Sequence, residues 1–127
     1  MKKIFILLLA FSAMVLTGCT KEKYNCHFHI TAKSYYNNSL IKTDYDIDVR
    51  NTEKDFHSHY DRICEDGVLD FHFDEKELEA GEYTIRVHGS IYVTSIGRYV
   101  SDEATYSVIV GLNDDNYFEK NYTLHLH

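Results

Sequence analysis

The 127-residue chain contains no proline and no tryptophan, and only three cysteines. Without tryptophan, a carbohydrate-stacking platform would have to be built from tyrosine, of which there are 11, all after position 19. Tyrosine is also a good strand residue, so the count alone is not a binding signal. Without proline, tight turns fall to Asn, Asp and Gly, which also tolerate left-handed backbone positions: Asn37-Asn38, Asp66-Gly67 and Asn113 to Asn116. There is no Gly-rich phosphate loop, nucleophile elbow, Cys-x-x-Cys or His-Glu-x-x-His, and no internal repeat, low-complexity tract or Gly/Ser linker. Carboxylates are plentiful, yet nothing selects one pair as acid and base. A protein that is not an enzyme is expected.

What is present begins with Lys2 and Lys3, followed by Ile4 to Leu16, apolar apart from Ser12. A bilayer span takes about 20 residues, so this run is too short to cross and matches the h-region of a secretory signal. It ends in Leu16-Thr17-Gly18-Cys19, which resembles the lipobox of bacterial lipoproteins: Leu, a small residue, Gly, Cys. The resemblance covers the first 19 residues. It implies removal of residues 1–18, acylation of Cys19 as the mature N-terminus, and anchoring by several chains at about 0.8 kcal/mol per buried methylene. Thr20, rather than Asp, follows the cysteine. In enteric-type sorting that implies the outer membrane, on its periplasmic or its surface face.

Losing the signal leaves 109 residues, with 11 Lys and Arg against 20 Asp and Glu, a net charge of −9. That is enough for one compact domain, expected over 25–127 behind a lipidated tether of 19–24. The acidic balance argues against nucleic acid and against electrostatic adhesion to anionic lipid. Two cysteines remain, Cys26 and Cys64, and an even pair outside the cytoplasm predicts a disulfide. A Cys26–His27 nucleophile dyad is the rival reading, but consecutive strand residues point to opposite faces.

From Cys26 onward the pattern has period two. Cys26, Phe28 and Ile30 oppose His27 and His29; Tyr45, Ile47 and Val49 oppose Asp44, Asp46 and Asp48; Leu69, Phe71 and Phe73 oppose Asp70 and His72. The stretches Tyr83 to His88 and Tyr122 to Leu126 alternate likewise, and Tyr106 to Val110 reads as a central strand. About seven strands, each with a solvated face, describe an all-β antiparallel sandwich. Residues 53–64 are divided. Phe56, Tyr60 and Ile63 recur at helical spacing behind a Thr52/Asp55 capping box, whereas Glu65-Asp66-Gly67 reads as a hairpin turn preceded by a strand. The run Leu78 to Tyr83, with Tyr two after Gly81, resembles the tyrosine corner of immunoglobulin-like and fibronectin-type domains. That likeness implies an Ig-like sandwich in which the Tyr83 hydroxyl bonds back across the turn. Ile85 stands where antibody domains carry a cysteine, so a Cys26–Cys64 bridge would not be the usual inter-sheet one.

Six of the eight histidines occur as His-x-His pairs: His27/His29, His57/His59 and His125/His127. Residues two apart on a strand share a face, which is a zinc-ligand spacing. Were the first and last strands neighbours, His27, His29, His125 and His127 would gather on one patch. Asp44, Asp46 and Asp48 imitate a calcium loop, but Val49 and Asp55 occupy the positions where an EF-hand needs Gly and Glu, so a solvated strand face guarding an edge is expected. The expectation is a membrane-anchored lipoprotein acting as a non-catalytic binding module. Its partner would be an envelope or extracellular protein or glycan, met through strand edges or tyrosines such as Tyr35, Tyr36 and Tyr99. The alternative is a zinc-binding or metal-sensing lipoprotein built on the His pairs. A small hydrolase ranks third and would need a pocket.

Overall fold

A computed structural model describes residues 22–112 and 116–127. The expected signal segment, Cys19 and residues 113–115 of the expected Asn113 to Asn116 turn lie outside those residues. The strands are β1 (Lys23–Tyr36), β2 (Ser39–Leu40), β3 (Thr43–Asn51), β4 (Phe56–Cys64), β5 (Val68–Glu79), β6 (Gly81–Val93), β7 (Arg98–Val110) and β8 (Tyr117–His125). They form two packed sheets, an all-β sandwich. In one, β1 is flanked by β5 and the short β2 on one side and by β8 on the other; the second has the order β4-β3-β6-β7.

The alternation in sequence becomes the two sides of each sheet. Cys26, Phe28, Ile30, Leu69, Phe71, Phe73 and Leu124 from the β1 sheet meet Tyr45, Ile47, Val49, Tyr83, Ile85 and Val87 from the β3 sheet, all buried. Phe28 stacks on Phe73 at 4.7 Å between ring centres, and Tyr60 from β4 leans onto Phe73 at 4.8 Å. These aromatic faces join the sheets.

The pairings β1–β5, β3–β6 and β6–β7 are antiparallel and reproduce the B–E, C–F and F–G pairings of immunoglobulin-type domains. The corner expected at Tyr83 forms: its hydroxyl donates to the Glu79 carbonyl at 2.8 Å. β8 departs from that plan. It lies on the free side of β1, where an antiparallel first strand would sit, and runs parallel to it, pairing His27 with Tyr117 and Tyr35 with His125.

Other expectations need correction. Residues 56–64 are a strand, preceded by a single 3-10 turn at Thr52–Lys54 that Asn51, not Thr52, caps through its side-chain oxygen. Asp55, in the left-handed region at φ 52°, stops that turn at once. The Glu65-Asp66-Gly67 turn is no hairpin, because β4 and β5 belong to different sheets. It carries the chain across the sandwich. The Asn37-Asn38 hairpin does form, with φ of 50° and 63°, the two left-handed residues of a two-residue turn. β3, with its three aspartates, is central rather than an edge, and β7, with Tyr106 to Val110, is the edge.

Candidate functional site

The expected Cys26–Cys64 disulfide is absent; both thiols are free. Register explains this. Phe56 and Cys26 both neighbour Tyr83, at the start of β4, whereas Cys64 ends that strand opposite Thr43. Eight strand residues, about 26 Å, separate the two ends, far beyond the ~7 Å between Cα atoms that a bridge tolerates. Cys26 is also poorly placed to react: it is buried, and burial, with the Glu75 carboxylate, pushes its thiol up to about 11. Alkylation of the native protein with iodoacetamide at pH 7.5 should leave Cys26 unmodified, while unfolding in denaturant exposes both Cys26 and Cys64 as reactive thiols by mass spectrometry. Recovery of a linked Cys26–Cys64 peptide would contradict this arrangement.

The histidines do not gather as four. β1 and β8 are neighbours, as the sequence reading supposed, but their parallel register leaves His125 beside Tyr35, eight residues along from His27. His125 stacks on Tyr35 at 5.9 Å. His127 is held by paired backbone bonds to Ser101 at 3.2 Å rather than frayed. The proposed set His27, His29, His125 and His127 is therefore split between opposite ends of β1.

Two other histidine–carboxylate clusters form, one on the outer face of each sheet. On the β1 sheet, the His29 and His72 rings stack at 3.8 Å. His29 Nε2 lies 2.8 Å from Asp70 and its Nδ1 3.6 Å from Glu119, and His72 Nε2 is 3.5 Å from the same Asp70 oxygen. Beside them His27 pairs with Asp74.

The cluster on the β3 sheet is larger and better covered. Strand pairing sets it in rows: His59 opposite Asp48 opposite Arg86, and Asp61 opposite Asp46 opposite His88. Asp48 is 4% exposed although it sits on the outward side, because its neighbours close over it. One of its oxygens receives His57 Nε2 at 2.7 Å and His59 Nδ1 at 2.9 Å; the other accepts from Arg86 Nη1 at 2.7 Å. Burial alone would push the Asp48 carboxyl up, but the His57 and His59 hydrogen bonds and the Arg86 charge outweigh it, and the group stays below the usual carboxylate range. Arg86 also donates to Glu103 at 2.6 Å. In the adjoining row Asp46 and Asp61 share a hydrogen bond, which holds the Asp46 carboxyl up, with burial adding to the effect. His59 is held up chiefly by its bond to Asp48.

A third feature of the β3 sheet is apolar. Ile63, Tyr92 and Tyr99 are 66%, 47% and 69% exposed, and the two tyrosine rings meet edge to face at 5.2 Å. With Asp44 and Ser90 they line a surface trough of about 200 Å³. Tyr99 was among the tyrosines singled out from sequence. Asp70, His72, Asp61, His88 and Arg86 were not, although Asp70 and His72 alternate visibly with core residues; strand register, which is non-local, brings them together.

No protein-family model matches this chain, and no curated protein matches it in sequence. The fold and its surfaces define the class: a small two-sheet β-sandwich with histidine–carboxylate clusters on both outer faces and an exposed aromatic patch at one end.

Proposed function

We propose that this chain is an envelope lipoprotein, held at the outer membrane through acylated Cys19, whose sandwich is a non-catalytic binding module. The observation that carries the reading is the position of the aromatic patch. The described chain enters the sandwich at Lys23, opposite Glu79 and next to the start of β6 at Gly81. Tyr92 and Tyr99 stand at the other end, where β6 turns into β7. Thirteen residues of β6 separate the two ends, about 40 Å at the usual strand rise. A tether at Cys19 would thus hold the Ile63–Tyr92–Tyr99 patch at the end of the domain remote from the membrane, facing an envelope or extracellular protein or glycan. Large exposed aromatic and aliphatic side chains grouped on a flat face are the usual material of an interaction surface.

The test is a crosslinking pull-down of the full lipidated protein from cells that make it. Partners are read by mass spectrometry and bound glycan by sugar analysis. Tyr92→Ala/Tyr99→Ala is expected to lose the partner while keeping the wild-type melting temperature to within a few degrees. Both residues are exposed, and surface changes are usually within about 0.5 kcal/mol. Equal recovery of the same partner by wild type and variant would reject the patch as the contact.

A further inference from the structure

Independently of the anchor and of the aromatic patch, the geometry points to a divalent transition-metal site, of the zinc type, on the outer face of the β3 sheet, with His59 Nε2, Asp46, Asp61 and His88 Nδ1 as donors. His59 Nε2 is 3.0 Å from Asp61 Oδ1 and 3.6 Å from Asp46 Oδ1. One donor atom from each of these three residues lies within 4.8 Å of the others. His88 Nδ1 faces the second Asp46 oxygen at 3.7 Å. Ligands placed tetrahedrally at about 2.0–2.1 Å from zinc are about 3.3 Å apart, so His59, Asp46 and Asp61 close around one ion with small side-chain rotations, while His88, which neighbours Asp46 alone, must swing in as the fourth donor.

Three details favour a cation here over a mere solvated face. His88 Nδ1 is a buried atom with no hydrogen bond among the described residues. That nitrogen is aimed at an Asp46 oxygen 3.7 Å away and can serve as a donor without giving up a hydrogen bond. Asp46 and Asp61 stand opposite each other across β3 and β4 with an oxygen of each within 4.8 Å of the other, and Arg86, the cation beside them, is committed to Asp48 and Glu103. Lastly, His59 donates from Nδ1 to Asp48, itself fixed by His57 and Arg86. A buried carboxylate that takes one ring N–H is the usual outer-sphere support of a ligating histidine, and the other nitrogen, Nε2, is turned toward Asp61, whose 3.0 Å hydrogen bond the ion would replace.

Two imidazoles and two carboxylates suit zinc and its neighbours in the transition series and do not suit calcium or magnesium, which take oxygen ligands. The β1-sheet cluster is the weaker candidate, because among the described residues it offers no buried ring nitrogen without a hydrogen bond, as His88 does here.

Titrating the untagged full chain in detergent with zinc chloride by calorimetry tests the site. One zinc per chain is expected, with micromolar affinity or tighter. His59→Gln and His88→Gln should each weaken it by about 100-fold, and Asp48→Asn, acting only by positioning, by about 10–100-fold. His29→Gln should leave it unchanged. His59 also bonds the buried Asp48, so His88→Gln, which removes a ring nitrogen that makes no hydrogen bond, is the variant that should melt like wild type and report on the ion alone. An affinity no tighter than about millimolar, about −4 kcal/mol, or a site that survives either His59→Gln or His88→Gln, overturns the assignment. Loss of binding in His29→Gln overturns it as well, by moving the ion to the β1 sheet.

Discussion

Cells expressing the Cys19→Ser variant should show no incorporation of labelled palmitate, while wild type is labelled and partitions into the detergent phase of a Triton X-114 extraction. The argument rests on residues 1–19 alone. In the proposed reading, a basic start, a short apolar run and Leu-Thr-Gly before the cysteine mark the thiol as the attachment point, and two acyl chains would suffice for stable membrane residence at about 0.8 kcal/mol per methylene. The effect is all-or-none, since no other residue can take over the thiol's role at the cleavage site. Mass spectrometry of the wild-type N-terminus gives the complementary reading. An unmodified terminus, or one that does not begin at Cys19, would reject the anchor and with it the orientation argued for the aromatic patch. The zinc site would stand unaffected.

The largest expected loss of stability comes from Gly67→Ala. Gly67 sits at φ 76° in the crossing between β4 and β5, and a β-carbon there would collide with the backbone carbonyl of Ile41, which cannot rotate away as a side chain would. The Gly67 carbonyl also organises the interior at this end. It accepts the Tyr45 hydroxyl at 2.5 Å and the Ser34 amide at 3.1 Å, while the Ser34 hydroxyl bonds Tyr45 at 2.7 Å. Tyr45 is fully buried, and burial pushes its phenol up to about 12, so the hydroxyl remains a donor throughout the accessible pH range. Left-handed strain of about 1–2 kcal/mol, with about 1–3 kcal/mol for buried polar groups losing partners, gives a loss of about 2–5 kcal/mol. For a domain of this size that lowers the melting temperature by about 8 °C or more. Gly97→Ala is the control, at φ 67° but with its nearest atom, the Tyr92 hydroxyl oxygen, 4.0 Å from the added carbon. It should lose only the strain. If the two variants melted together, collision with Ile41 would not be the cause.

How far the sequence disclosed this molecule depended on the range of each interaction. Alternation is local, so Cys26, Phe28 and Ile30 on one side of β1 and Tyr45, Ile47 and Val49 on one side of β3 were readable, and all six are buried. The Tyr83 corner was readable because its bond spans only four residues. Features that depend on which strand lies beside which were not. The Cys26–Cys64 bridge failed because even count and compartment say nothing about distance along β4. The four-histidine patch failed on direction: adjacency of β1 and β8 was supposed, but a parallel strand brings Tyr117, not His125, to His27. Asp48 looked like one of three solvated carboxylates, yet partners drawn from β4 and β6 bury it. The candidate metal donors share that cause, since His59, Asp46 and His88 come from three strands.

The parallel pairing of β1 and β8 also sets how the domain bears mechanical load. Nine residue pairs, from His27 with Tyr117 to Tyr35 with His125, join the two strands. A pull between the start of β1 and the end of β8 acts along both strands in opposite senses. It shears the whole ladder together instead of opening it pair by pair, as peeling would. A domain held at the start of β1 and loaded at the end of β8 would therefore meet tension along its stiffest direction.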